Sequence, residues 1–497
     1  MNGDSRFVSK SPTGIRGLDE ITHGGFPAGR NTLLCGGPGS GKTVLAMKYL
    51  LTGALQYDEP GLCLTFEEST QELIDNLRSL GSDAQELISR NALAIDHVQL
   101  GERELESGEY DLSGLFIRID EGITAIGANR VVLDTIEALF ANLPNEAIVR
   151  SELQRLFRWL KDRGVTTVIT AESGENTLTR HGLEEYVADC VIRLDHRVEN
   201  EISTRRLRIV KYRGSAHGTN EYPFLLDESG PTVMPITSVG LTHTASCERL
   251  SSGNAGLDDM LGGKGFFRAS SILVSGSAGT GKSSFAMQFA TGACKRGEHV
   301  LYFAFEESPS QIARNMRSIG IDVQACEDKL NIIAARPTST GLESHLARIH
   351  RDIEEFRPSV VIFDPVTNLV SAGNARSAKS MITRLIDYLK LQTITALFTE
   401  LAPGPPQTEV SIGISSLMDT WIALAFAAGP QRSRPETVLE RRRTVQVLKS
   451  RGMSHAKAIR SFEFCSAGIN ILGTATGAEE RNDTVMARKL RHEKKRR

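Results

Sequence analysis

Two short segments of this chain hold the residues of a phosphate site at fixed spacing. GGPGSGKT runs from Gly36 to Thr43 and GSAGTGKS from Gly276 to Ser283, so that Lys42 and Lys282 stand 240 positions apart. Both satisfy G-x-x-x-x-G-K-[ST] at every required position. In such a loop small residues let backbone N–H groups close around phosphate oxygens. Here they are Gly37, Gly39, Ser40 and Gly41 in one copy and Ser277, Gly279, Thr280 and Gly281 in the other. The lysines would reach the β- and γ-phosphates, and the hydroxyls of Thr43 and Ser283 would hold Mg²⁺. One match can arise by chance in a glycine-rich loop; two at corresponding places imply that the chain binds nucleotide twice.

Further candidates recur with the loops. Asp134 and Asp364 each close an apolar run, RVVLD and VVIFD, where a carboxylate can complete the Mg²⁺ shell. Glu67–Glu68 and Glu306–Glu307 sit in the repeated FEES tetrapeptide. Adjacent carboxylates are costly unless a cation or solvent offsets them, and one of each pair could orient or deprotonate an attacking nucleophile. Lys211 and Arg213, like Lys449 and Arg451, follow a strand-like run and precede a glycine. Alone, K-x-R is an ordinary solvated edge. In a ring, such residues can reach the γ-phosphate held by a neighbouring subunit, an effect worth on the order of 10³–10⁵ in rate for arginine fingers. The halves differ at one place. Aligned on Asp189 and Asp419, LEEYVADCVIRL faces ISSLMDTWIAL, so Ser415 and Ser416 stand where the first half has Glu185 and Tyr186. Paired hydroxyls are common in turns, but a hydroxyl beside an ATP γ-phosphate is also a phosphoryl acceptor, and a glutamate is not.

These residues need elements to hold them. Each loop follows an apolar run, Asn31–Cys35 or Ser271–Ser275, which predicts a strand feeding a turn and then a helix. Val131–Leu133, Thr166–Ile169 and Val360–Phe363 read as strands buried on both faces of a mostly parallel sheet, and Gln71–Leu80 and Gln311–Ile319 have helical spacing. The fold class is α/β, with ligands at the carboxyl ends of strands. TGIRGLD and SGNAGLD, LTFEES and FAFEES, and IVKYRG and VLKSRG extend the repeat, and the first half has about nine extra residues placed around Gly101–Tyr110. The expected organisation is a first domain over 1–245, a second over 246–475 and a basic tail over 476–497, two P-loop domains in tandem. The tail reads as a solvated end or as a docking segment for an acidic partner.

Composition excludes little but excludes it firmly. The chain has 497 residues, 40% of them apolar, and a net charge of −2, so overall charge gives no reason to expect nucleic-acid binding. The apolar run Trp421–Ala428 is too short to span a bilayer, and MNGDSRFVSK lacks the apolar core of a leader. The seven cysteines form no C-x-x-C pair and read mostly as buried thiols. A cytoplasmic protein without a membrane contact is expected.

The sequence resembles the KaiC family of circadian-clock ATPases, which are tandem RecA-like proteins. The resemblance runs from about Lys10 to about Ile471 and rests on THGGFPAGR, YDLSGL, KYRGSAHGTNEYPF and KSRGMSHAKAIRSF as well as the P-loops. It implies a homohexamer of two stacked rings with ATP between subunits. It also implies a slow ATPase in the first domain and an autokinase and autophosphatase in the second. Ser415 and Ser416 fall at that family's phosphorylated pair, and Glu306 and Glu307 at the carboxylates beside it. A KaiB-like protein or another signalling partner is the partner class so implied. The pair is Ser-Ser here, where the best-known members have Ser then Thr, and the basic tail does not match the family's partner-binding segment. A self-phosphorylating ATPase follows from the resemblance; a daily clock does not. Two other classes share the core fold. A nucleotide-switched scaffold would not need the hydroxyl pair. A DNA-dependent ATPase would need basic inner loops, for which Arg441–Arg443 and the tail are the only candidates.

Overall fold

The computed structural model describes residues 8–79, 83–98, 113–140, 146–174, 177–179, 187–199, 202–227, 230–235, 245–337, 341–402, 413–427 and 442–473. The loop expected at Gly101–Tyr110, Glu185 and Tyr186, Arg441 and the basic tail lie outside the described residues. The chain divides into two compact units, Met1–Ser238 and Val239–Arg497.

In the first unit nine strands form one sheet: β1 Asn31–Gly36, β2 Gly61–Thr65, β3 Leu93–His97, β4 Arg130–Asp134, β5 Thr166–Glu172, β6 Cys190–Glu199, β7 Ile202–Tyr212, β8 Glu221–Asp227 and β9 Gly230–Val233. Their order is β3-β2-β4-β5-β1-β6-β7-β8-β9. The run from β3 to β6 is parallel, and β7–β9 add antiparallel neighbours at one side. The second unit repeats the plan with β10 Ser271–Gly276, β11 Val300–Ala304, β12 Leu330–Ala334, β13 Val360–Asp364, β14 Thr395–Leu401, β15 Thr420–Phe426, β16 Arg443–Ser450, β17 Arg460–Cys465 and β18 Gly468–Ile471. Its order is β12-β11-β13-β14-β10-β15-β16-β17-β18, the same topology strand for strand.

The continuous apolar runs are explained by burial on both faces. In β1, Leu34 joins one core layer while Leu33 and Cys35 join the layer on the opposite face; in β4, Val132 and its neighbours Val131 and Leu133 divide the same way. The helices begin where their local signals place them. Pro309–Arg317 starts on a capping box in which Ser308 receives the Gln311 N–H, two residues before the start expected from periodicity alone. The helix expected over Gln71–Leu80 is found at Thr70–Ser79. Five cysteines are buried, Cys465 is half-buried and Cys247 is exposed.

The largest fully buried side chain of the first unit is an arginine. Arg130 opens β4 with its side chain fully buried, lies over the Tyr49 ring at 4.3 Å, and donates to Glu59 Oε2 at 2.6 Å and to the Tyr49 carbonyl at 2.8 Å. Gly53 makes this possible, because a Cβ there would meet the guanidinium at 2.5 Å. Val360 occupies the same strand position in the second unit, so this anchor belongs to the first unit alone.

Candidate nucleotide sites and a hydroxyl turn

Each P-loop leaves the carboxyl end of a central strand and runs into a helix, α1 Lys42–Gln56 in the first unit and α2 Lys282–Lys295 in the second. The residue before each helix is a glycine in the left-handed region, Gly41 at φ 99° and Gly281 at φ 104°. The positive φ demands glycine at both positions, and a Cβ would also have to displace a side-chain tip, Leu226 at 2.7 Å from Gly41 and Phe464 at 2.9 Å from Gly281. Neither helix has a side-chain cap, which leaves its first backbone N–H groups to an anion. Lys42 Nζ donates to the Gly36 and Gly37 carbonyls at 2.8 and 3.1 Å, and Lys282 Nζ to the Ser277 carbonyl at 3.0 Å. Burial lowers the Lys282 pKa, against the pull of Asp364 and Glu306. These features fit a nucleotide polyphosphate.

The carboxylates stand where a hydrated cation would sit. Thr43 Oγ1 donates to Asp134 Oδ2 at 2.9 Å, and Thr170 Oγ1 makes a short bond to Oδ1. Burial raises the Asp134 pKa, while the bonds from Thr170 and Thr43 and the charge of Lys42 oppose the rise. Hydroxyl and carboxylate oxygens of this kind are the hard donors that Mg²⁺ takes alongside substrate phosphates. In the second unit Thr399 repeats the role of Thr170 toward Asp364 Oδ1. There Oδ2 accepts from Tyr302 at 2.6 Å, and among the described residues no bond joins Ser283 to Asp364. Thr170 and Thr399 were detectable, since each is the fifth residue of matching strands, β5 and β14, in the two halves. Tyr302 had no local signal.

The first members of the two glutamate pairs have different donors, and the second members the same kind. Glu67 accepts from Thr135 Oγ1 at 2.9 Å and Glu306 from Asn368 Nδ2 at 3.2 Å. Their neighbours are bound by asparagines from the following helices, Glu68 by Asn76 at 3.3 Å and Glu307 by Asn315 at 3.0 Å. In the second unit Lys282, Ser283, Glu306, Glu307, Asn315 and Asp364 line one cavity of ≈ 390 Å³.

Lys211 and Lys449 lie within β7 and β16 rather than after them, so the expected strand ends move by a residue or two. They lie at the opposite end of the strands from the P-loops, paired near the starts of β6 and β15. Asp419 N donates to the Ser271 carbonyl at 2.9 Å, and the Asp419 carboxylate accepts from Ser271 N at 2.9 Å, so the turn before β15 abuts the beginning of β10, whereas the P-loop leaves its end. That turn carries Ser415 and Ser416. Lys449 Nζ donates to their carbonyls at 3.1 and 3.3 Å, and Arg451 Nη2 to the Ser416 carbonyl at 2.7 Å. Burial and the neighbouring Arg451 lower the Lys449 pKa. The first unit shares the frame, with Arg213 N on the Asp189 carbonyl at 2.9 Å, but its Glu185 and Tyr186 are outside the described residues. Of the run Arg441–Arg443, Arg443 is tied to the second P-loop through the Gly279 carbonyl at 3.2 Å, as Arg205 is to the first through the Gly39 carbonyl at 3.1 Å.

The family model for the KaiC ATPase matches residues 11–238 and again residues 250–476. The chain belongs to the KaiC family. It is 50% identical over 484 residues to the circadian clock protein KaiC2 of Synechocystis sp., covering 96% of this chain and 84% of that one. It is 38% identical over 481 residues to the circadian clock oscillator protein KaiC of Parathermosynechococcus lividus, with 95% and 87% covered. It is 37% identical over 477 residues to that of Synechococcus elongatus, with 95% and 90% covered. The two sheets flanked by helices are therefore tandem RecA-like domains of a KaiC-family ATPase. Among the described residues no helix is long and apolar enough to cross a membrane.

Proposed function

We propose that this KaiC-family protein hydrolyses ATP in its first domain and phosphorylates itself on serine in its second. It would work as a double-ring homohexamer in the cytoplasm, with nucleotide between subunits and a KaiB-like or other signalling partner. The observation that carries the reading is the place of the hydroxyl turn. Ser415 and Ser416 flank the start of β10 while the P-loop leaves its end, and the six strand residues between them span roughly 16 Å. A nucleophile must come within about 3.5 Å of the γ-phosphorus, so these serines suit the nucleotide of a neighbouring subunit rather than their own. Lys449 and Arg451 share that end of the sheet and would accompany the turn to the neighbour's γ-phosphate.

In this reading a serine Oγ bonds to the γ-phosphorus as the bond to the bridging oxygen breaks and ADP departs. The hydroxyl proton passes to Glu306 or Glu307 of the subunit holding the nucleotide. Mg²⁺, held through Ser283 and Asp364, would neutralise charge on the phosphate oxygens. In the first domain Thr43 and Asp134 would take the corresponding role, with Glu67 or Glu68 orienting water. Labelled ATP followed by peptide mapping tests the kinase claim: phosphate is expected on Ser415, Ser416 or both, and its absence from both refutes it.

A further inference from the structure

The two units differ at the buried carboxylate as well as at the hydroxyl turn. In the first, Asp134 Oδ2 is bonded by the P-loop hydroxyl of Thr43 at 2.9 Å. In the second, Asp364 Oδ2 is bonded by Tyr302 at 2.6 Å from inside the sheet. Tyr302 is fully buried in β11, two residues before Ala304, which pairs with Asp364. Its side chain therefore runs along the same face as the carboxylate. The corresponding position of β2 is Cys63, paired with Val132 of β4 as Tyr302 is with Ile362 of β13. A thiol is too short and too weak a donor to do the same. With Thr399 on Oδ1, both oxygens of Asp364 are engaged by donors outside the P-loop, and Ser283 is left without a bond to it among the described residues.

We infer that Tyr302 is a positioning residue that raises the Mg²⁺ requirement of the second nucleotide site above that of the first. A phenol donating to Oδ2 draws electron density from the oxygen that a metal or its water would otherwise use, and holds the carboxylate toward the core. The inference rests on the reading that the second P-loop binds Mg²⁺ with nucleotide.

Trp421 makes the test local. It is one of two tryptophans, the other being Trp159 in the first unit, and its Nε1 donates at 2.7 Å to Ser275 Oγ, one residue before the second P-loop. The full chain carrying Trp159→Phe is given a fixed concentration of ADP and titrated with Mg²⁺ while Trp421 fluorescence is read, with and without Tyr302→Phe. Phenylalanine keeps the buried ring and removes one hydroxyl, and thermal melting of the nucleotide-free protein checks that the fold persists. Half-maximal response is expected at a Mg²⁺ concentration at least about tenfold lower in Tyr302→Phe, the lower end of the effect for one hydrogen bond to a charged group. A purely structural role would move the melting temperature and leave this midpoint in place. An unchanged or higher Mg²⁺ requirement overturns the inference while leaving the site intact. A silent Trp421 in both proteins, with equilibrium dialysis counting one ADP per chain, overturns the nucleotide reading of the second site itself.

Discussion

If Ser415 and Ser416 are phosphorylated from a neighbour's nucleotide, two defective chains should repair each other. Ser415→Ala/Ser416→Ala removes the acceptors and keeps the second nucleotide site. Glu306→Gln/Glu307→Gln removes the proton acceptors and keeps the serines. Neither alone should incorporate phosphate. The magnitude for a mixture follows from the fold. The turn is bonded to Ser271 at the start of β10, and the P-loop begins at Gly276, at its end. A reaction within one chain would have to close a gap of roughly 16 Å to about 3.5 Å. That would mean stripping β15 from β10, whose pairing runs from Ile272–Thr420 to Gly276–Leu424. Between neighbours in a head-to-tail ring no strand need move. At a 1:1 ratio half the chains carry acceptors and half of their neighbours carry a competent site, so label should reach roughly a quarter of the wild-type level. The assay is labelled ATP with the chains mixed before assembly and separated afterwards by an affinity tag. Label must appear only on the Glu306→Gln/Glu307→Gln chains. A mixture as inactive as its parts would refute transfer between subunits, and full label on those chains alone would refute the role of the glutamates.

Two further expectations concern stability. Arg130→Met should destabilise the first unit by about 2–3 kcal/mol, below the usual cost of breaking a buried ion pair because Glu59 reaches solvent; urea unfolding with resolved transitions checks this, and the second transition should not move. Asp419 is half-buried, which on its own would raise its pKa, but bonds from Lys390 at 2.8 Å and from Ser271 hold it below the ordinary carboxyl value of 3.8. A lowered folded value stabilises the fold above the unfolded pKa, so this contribution is full above about pH 4 and fades as pH falls through the lowered value. The melting temperature should accordingly fall less between pH 6 and pH 3 for Asp419→Asn than for the parent chain.

Much of both sites was legible because phosphate chemistry is local. Gly41 and Gly281 are dictated by a turn a few residues long, Lys42 and Lys282 by the helix that follows, and Asp134 and Asp364 by the ends of strands buried on both faces. The repeat then separated shared residues from those in one copy, which is how Ser415 and Ser416 stood out. Helix Pro309–Arg317 began earlier than its apolar spacing because Ser308 and Gln311, both polar, form its cap.

What the sequence by itself determined is the inventory: two phosphate loops, their acidic partners, two K-x-R edges and one pair of hydroxyls. Where these lie relative to one another was decided by tertiary structure. Nothing local says that the hydroxyl turn adjoins the start of β10 rather than its end, because that follows from the parallel register of β15 on β10, a pairing across 148 positions. Nor does anything local say that Tyr302 reaches Asp364, since the two meet only when β11 and β13 lie side by side with those residues on one face. Strand pairing joins segments distant in sequence, and the donors it brings to one carboxylate depend on register and face together.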